Sequence, residues 1–373
     1  MSAKLRKLPK ISLHDHLDGA LRAQTVYELA REANLEVAGS TAAELQLWFE
    51  QSANSGSLVD YLKTFDVTTA LMQTKKSLTR IASEFVADLV ADGVIYGEVR
   101  WAPEQHQLQG LTLDEAVEAV QDGLELGMHE AEKQGHWVRT GQIVTAMRQS
   151  DRSLEIAELA VRHRDSGVVG FDIAGPELGF PPSMHQLAFD YLAAELMPVT
   201  VHAGEADGLA SIRDALVTGR ALRIGHGVRL FEDILFSHED ADADVVELGP
   251  VARWVYDRGI GLEMCPTSNL QTGALNFMVE ADDEDEPEAP TLADHPLAVF
   301  LELGFKVTVN PDNRLLGGTS VSRELELMAK EFELSADDLM TLQLNAASVS
   351  FQDREHREEM MDVIEQGFSQ LNK

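Results

Sequence analysis

The chain has one cysteine, Cys265, in 373 residues. That excludes internal disulfides and zinc sites built from several thiolates. No apolar run reaches the roughly 18 residues a membrane-crossing helix needs. The basic N-terminal stretch (Lys4, Arg6, Lys7, Lys10) has no apolar segment behind it, so no signal peptide is expected and the cytoplasm is the predicted compartment. Positive charge is scarce, with 30 Lys and Arg against 63 Asp and Glu and a net charge of −33. Nucleic acids and anionic membranes both require basic surface, so neither is an expected partner. No Gly/Ser/Pro-rich linker interrupts residues 1–373, which predicts a single domain.

What is present is the composition of a globular protein, 44% hydrophobic and 25% charged. Short β-branched runs alternate with longer helical patterns, the signature of parallel βα units. Eight strands are predicted near 10–14, 94–100, 141–146, 168–173, 198–202, 222–226, 260–264 and 306–310. Helical periodicity covers stretches such as Leu113–Gln134, Ser153–Arg164, Met184–Leu196 and Ala210–Thr218. This alternation predicts an α/β fold, a (β/α)8 TIM barrel, whose usual length is about 250 residues before insertions. The surplus falls in residues 24–92, expected to hold several extra helices, and in a helix-prone C-terminal stretch, Asp353–Gln370. A further insertion, about 281–289, carries the run Asp282-Asp283-Glu284-Asp285-Glu286-Pro287-Glu288, which reads as a self-repelling loop.

The chemistry collects at the predicted strand ends. In Ile11-Ser12-Leu13-His14-Asp15-His16-Leu17-Asp18 two histidines stand at i and i+2, on one side of a strand and close enough to share an ion. His202 ends the fifth strand, His226 the sixth, and Asp312 follows the eighth. Side chains at the C-terminal ends of barrel strands converge on one mouth. The result is three imidazoles and a carboxylate around one cation, with a further imidazole adjacent. Such donors suit Zn²⁺, with Co²⁺ and Fe²⁺ also compatible. A bound cation acidifies its water into a nucleophile, and the reaction then needs a base and an acid. Glu205 is a candidate acid, or else a first-turn glutamate of the following helix. His226, between two glycines, is a base, an electrostatic partner or a further ligand. No lysine occurs between Lys133 and Lys306, so a carbamylated lysine bridging two metals is unavailable on strands four to seven. One metal is favoured. The other histidines (His106, His129, His136, His163, His185, His238, His295 and His356) read as structural or solvated.

Taken with their order and spacing, these segments resemble the adenosine deaminases of the metal-dependent barrel hydrolases, over nearly the whole chain. The resembling segments are His14-Asp15-His16-Leu17-Asp18-Gly19, Phe171-Asp172-Ile173-Ala174-Gly175, His202-Ala203-Gly204-Glu205, Gly225-His226-Gly227, Cys265-Pro266-Thr267-Ser268-Asn269 and Asn310-Pro311-Asp312-Asn313. The resemblance implies that His14, His16, His202 and Asp312 bind one zinc per chain. It implies that Glu205 donates a proton to N1 of the purine while His226 assists water attacking C6, giving inosine and ammonia. It places Asp18 on the ribose with Ala20 beside it, and the Gly175 backbone at N3. Two positions depart from the family pattern: Asn313 stands where a second acid contacts N7, and Pro311 where Thr is usual. An Asn amide can donate to the N7 acceptor.

The expected partner is a small nucleoside, adenosine and its 2′-deoxy form. Adenine and aminofutalosine-type substrates are the alternatives, and Asp18-Gly19 favours the ribose-contacting form. A phosphorylated substrate fits poorly with so acidic a chain. The unrelated nucleobase deaminases with a Pro-Cys-x-x-Cys zinc motif are excluded by the single cysteine. A barrel amide hydrolase would more often carry the bridging lysine, and a non-catalytic relative would be expected to have lost Glu205 or His226.

Overall fold

A computed structural model describes residues 2–238, 244–279 and 289–369. Strands β1 (Lys10–His16), β2 (Val94–Trp101), β3 (Arg139–Met147) and β4 (Val168–Ala174) pair in that order, all parallel. Strands β5 (Thr200–Ala203) and β6 (Arg223–His226) begin a second parallel sheet. An antiparallel pair follows, β7 (Ile234–His238) and β8 (Asp244–Leu248). Strands β9 (Gly261–Met264) and β10 (Val307–Val309) then complete the second sheet in the order β5-β6-β9-β10. Parallel bridges Phe171↔Val199 and Asp15↔Asp312 join the two sheets at both seams and close the eight-stranded barrel.

All eight expected strands are present, and β1 runs two residues further than its predicted end, so that His14 and His16 both lie within it. Nearly every barrel-strand residue is buried, as strands covered on both faces require. The β7–β8 pair was not anticipated. It stands outside the barrel, Leu235 and Phe236 are largely exposed, and no tight turn signal marks it. The acidic run 282–288 lies outside the described residues.

The surplus went where the helical patterns placed it. Between β1 and β2 lie helices Ala23–Ala33, Ala42–Ala53, Leu58–Leu62, Phe65–Leu71 and Lys75–Ala91. The C-terminal helix Arg354–Ser369 buries Met360, Ile364 and Phe368 against the rest of the fold. The helix Leu113–Lys133 starts at a capping box in which Thr112 accepts from the Glu115 N–H and the Glu115 carboxylate accepts from the Thr112 N–H. The pattern over Met184–Leu196 forms a tighter 3₁₀ turn, Pro182–His185, and a shorter helix, Gln186–Ala194.

The barrel interior is partly ionic. Barrels of this kind are usually filled by Val, Ile and Leu. Here fully buried Glu98, Arg100, Asp172, Arg223 and Glu263 form one lattice. Arg100 donates to Asp172 at 2.9 Å and to Glu263 at 2.7 Å, and Arg223 donates to Glu98 and Glu263, each at 2.5 Å. Buried charges are tolerated only when paired, and each of these has at least one opposite charge within hydrogen-bond distance.

Candidate metal and proton-transfer site

The seam between β1 and the segment after β10 builds the site. The His16 N–H donates to the Asp312 carbonyl at 2.8 Å, and the Asp312 N–H donates to the His14 carbonyl at 3.0 Å. These two bonds set a carboxylate from one end of the chain beside two imidazoles from the other. Asp312 Oδ1 lies 3.2 Å from His14 Nε2 and 3.3 Å from His16 Nε2, while His16 Nε2 and His202 Nε2 are 3.2 Å apart. Ligand atoms at about 2.0–2.1 Å from a tetrahedral zinc stand about 3.3 Å from one another. Among the described residues, His14 Nε2 and Asp312 Oδ1 are buried with no hydrogen-bond partner, as atoms reserved for a cation would be. The donor set therefore fits a divalent metal. Both Asp312 (φ +57°) and His226 (φ +63°) adopt the left-handed backbone region, which strains non-glycine residues and concentrates at functional sites.

Behind the imidazoles stand groups that orient them. His14 Nδ1 is hydrogen-bonded to Glu263 at 2.9 Å, and His202 Nδ1 lies 2.9 Å from Asp172. A carboxylate in that place keeps the proton on Nδ1 and leaves Nε2 free to ligate. Gly225 allows the close packing: a Cβ there would lie 3.0 Å from His14 Cε1 and 3.2 Å from the His202 Cα.

Glu205 lies within the same group, its Oε2 3.5 Å from His226 Nε2. The following helix starts only at Leu209, so Glu205 is not a first-turn glutamate. It sits in a buried loop. Burial, reinforced by the negative charges of Asp312 and Glu177, pushes its carboxyl well above the usual range. Burial, with His14 next, pushes His226 well below the ordinary histidine value, leaving that ring neutral.

A cavity of about 330 Å³ opens beside the cluster, lined among others by His16, Asp18, Phe65, Trp101, Thr145 and Gly175. Burial raises the Asp18 carboxyl to about 7. Asn313 is buried at the start of the short helix Arg314–Gly317, against Gly19, where a Cβ would fall 1.9 Å from its Oδ1. The structure thus gathers His14, His16, His202, His226, Glu205, Asp312 and Asn313, with Asp18 and Gly175 on the cavity wall. Ala20 does not line this cavity. It faces a separate cleft with Arg22 and Arg314.

Several residues in the site were not expected from sequence. The buried Glu177 carboxylate accepts from the N–H groups of Gly204, Glu205, Ala206 and Asp207 at 2.6–3.0 Å and from the Ser211 hydroxyl at 2.6 Å. It shapes the loop that carries Glu205. Its only sequence signal was its place two residues after Gly175. Glu177→Ala is expected to lower the unfolding free energy by at least about 2 kcal/mol, since each buried N–H left unpaired costs about 1–3 kcal/mol. Urea unfolding measures it. His295, grouped above with the structural or solvated histidines, proves to be 2% exposed and joined to His226 through Asn269. Tyr61, from the helices inserted between β1 and β2, buries its hydroxyl, and burial raises its pKa well above the usual phenol value.

A family profile described as adenosine deaminase matches residues 9–367. Adenosine deaminase 1 of Streptomyces coelicolor is 49% identical over 370 residues, covering 99% of this chain and 89% of that protein. The adenosine deaminase of Mycobacteroides abscessus is 44% identical, covering 98% and 97%. In structure, the adenine deaminase of Arthrobacter aurescens superposes with a TM-score of 0.79 at 24% identity, over 96% of this chain and 98% of that one, which shows a shared barrel. With a full-length profile match and relatives of this identity, the chain belongs to the adenosine deaminase family.

Proposed function

We propose that this protein, acting as a single barrel domain, hydrolyses adenosine and 2′-deoxyadenosine to the corresponding inosines and ammonia, with one zinc held by His14, His16, His202 and Asp312. The observation that carries this reading is a buried glutamic acid, its carboxyl pushed well above the usual range, beside a cluster of ligand atoms unpartnered among the described residues and a nucleoside-sized cavity. When bound, the metal supplies a water acidified towards neutrality. The protein's own groups do the rest. Glu205 holds a proton for N1 of the purine, and protonating N1 makes C6 electrophilic. His226 faces the side from which oxygen approaches. Asp18 takes the ribose, the Gly175 backbone meets N3, and the Asn313 amide donates to N7.

Both relatives are named adenosine deaminases, and each aligns with 98–99% of this chain. The test is ultraviolet loss of the adenosine band, run beside adenine, aminofutalosine and AMP. Adenosine is expected to turn over fastest, and faster turnover of any rival would displace it as substrate. Chelation should abolish activity and zinc should restore it. Because the acid must be protonated, kcat is expected to fall as pH rises through the elevated Glu205 pKa. A pH–rate profile of kcat decides this.

A further inference from the structure

Three imidazoles at the site differ in what stands behind them. His14 and His202 have carboxylates at Nδ1, from Glu263 and Asp172. His226 has an amide: Asn269 Nδ2 lies 3.0 Å from His226 Nδ1. The identity of that amide atom is set by two backbone groups that can only donate. The Leu297 N–H points at His295 Nδ1 at 3.1 Å, so that nitrogen accepts. Neutral imidazole then carries its proton on Nε2, and His295 is neutral because burial drives its pKa down to about 3. His295 Nε2 therefore donates to its partner on Asn269, 3.1 Å away. The same Asn269 atom receives the Cys265 N–H at 3.3 Å. Two donors converge there, so it is the oxygen, and rotating the amide would set N–H against N–H. The Asn269 NH₂ is left facing His226 Nδ1.

We infer that His295 and Asn269 form a relay that holds His226 as its Nε2–H tautomer, so that His226 enters the site as a hydrogen-bond donor, neither a metal ligand nor a proton acceptor. His295 acts as a positioning residue, through Asn269. Among the described residues, two overlapping groups of side chains are close enough to share a cation, His14 with His16 and His202, and His14 with His226 and Asp312. The relay separates them. His226 has no lone pair left on Nε2 and its Nδ1 is occupied, whereas the carboxylates leave His14 and His202 with Nε2 free. His226 Nε2 lies 3.5 Å from Glu205 Oε2, in the group of side chains around the metal ligands. A donor fixed there stabilises negative charge developing on the attacking oxygen without reorganising during the step. This assignment of a catalytic purpose rests on the deaminase reading above, while the tautomer itself does not.

The experiment is long-range ¹H–¹⁵N correlation spectroscopy of the imidazoles in the full-length, zinc-loaded protein labelled with ¹⁵N-histidine. The His226 signals are assigned by their loss in His226→Gln. Wild-type protein is expected to show His226 protonated on Nε2, and a His226 protonated on Nδ1 or shifted by metal at Nε2 overturns the inference. In Asn269→Asp an oxygen replaces the amide donor, so the proton should move to Nδ1. There kcat should fall about 10²–10⁴-fold, the scale of a wrong tautomer at a catalytic histidine, with KM within about threefold and zinc still one per chain. Full kcat in Asn269→Asp overturns the relay's role. His295→Leu should mix the tautomers and lower kcat, and His295→Gln, which can accept from Leu297 and donate to Asn269, should restore both. Failure of Gln to rescue indicates packing alone and also overturns it. Since the spectra need no substrate, an Nε2–H tautomer in a protein that ignores adenosine defeats the substrate reading and leaves the relay standing.

Discussion

Glu205→Gln is expected to lower kcat by about 10³-fold, within the 10²–10⁴ range of a lost general acid, while the protein keeps one zinc and a nearly unchanged KM. The replacement preserves shape and can still donate a hydrogen bond, but it has no proton to give. The lost barrier stabilisation would be about 4 kcal/mol. Zinc should persist because, among the described residues, Glu205 is in neither group of side chains close enough to share a cation, and its Oε2 lies 3.5 Å from His226 Nε2. Steady-state kinetics with metal analysis of the same sample reads both quantities. A Gln variant with wild-type kcat would remove Glu205 as the proton donor. Loss of zinc instead would mean that Glu205 helps to hold the metal.

Glu263→Ala should couple two losses that usually occur apart. Glu263 accepts from Arg100 at 2.7 Å, from Arg223 at 2.5 Å and from the Thr200 hydroxyl at 3.1 Å, and it orients His14 at 2.9 Å. Removing it leaves two buried guanidiniums short of a counter-charge, a change that costs about 3–5 kcal/mol. It also frees the His14 ring, and losing such an orienting partner weakens metal binding about 10–100-fold. Burial alone would raise the Glu263 carboxyl, but Arg100 and Arg223 outweigh it and hold the group well below the usual range. Its stabilisation is therefore complete above the ordinary carboxylate pKa of about 4.3 and is lost as pH falls below it. Urea unfolding of metal-free protein measures the first loss and competitive zinc titration the second. An unchanged unfolding midpoint would show that the lattice relaxes around the gap.

The parts of this protein that the sequence determined by itself are those written in local pattern. Strand and helix periodicities recur every few residues, so the βα alternation, the extra helices between β1 and β2 and the C-terminal helix were all legible. His14 and His16 share a face because a strand alternates, and His202 and His226 end short β-branched runs, so four imidazoles could be placed at one mouth once a barrel was inferred. Tertiary structure decided what surrounds them. Glu263 reaches His14 across 249 positions, Asn269 reaches His226 across 43, and Glu177 reaches the Glu205 loop across 28. No local periodicity encodes such pairs, because a buried carboxylate or amide looks in sequence like any solvated one. The ionic interior was hidden for the same reason: Arg100 and Arg223 lie in predicted strands, but no local pattern tells that barrel closure removes the water around them or which carboxylates they meet. His295 shows the limit most clearly. An isolated histidine ahead of an apolar helix carried no sign of function, and only the fold, by setting a backbone N–H on one side of its ring and Asn269 on the other, gave its two nitrogens different chemistry.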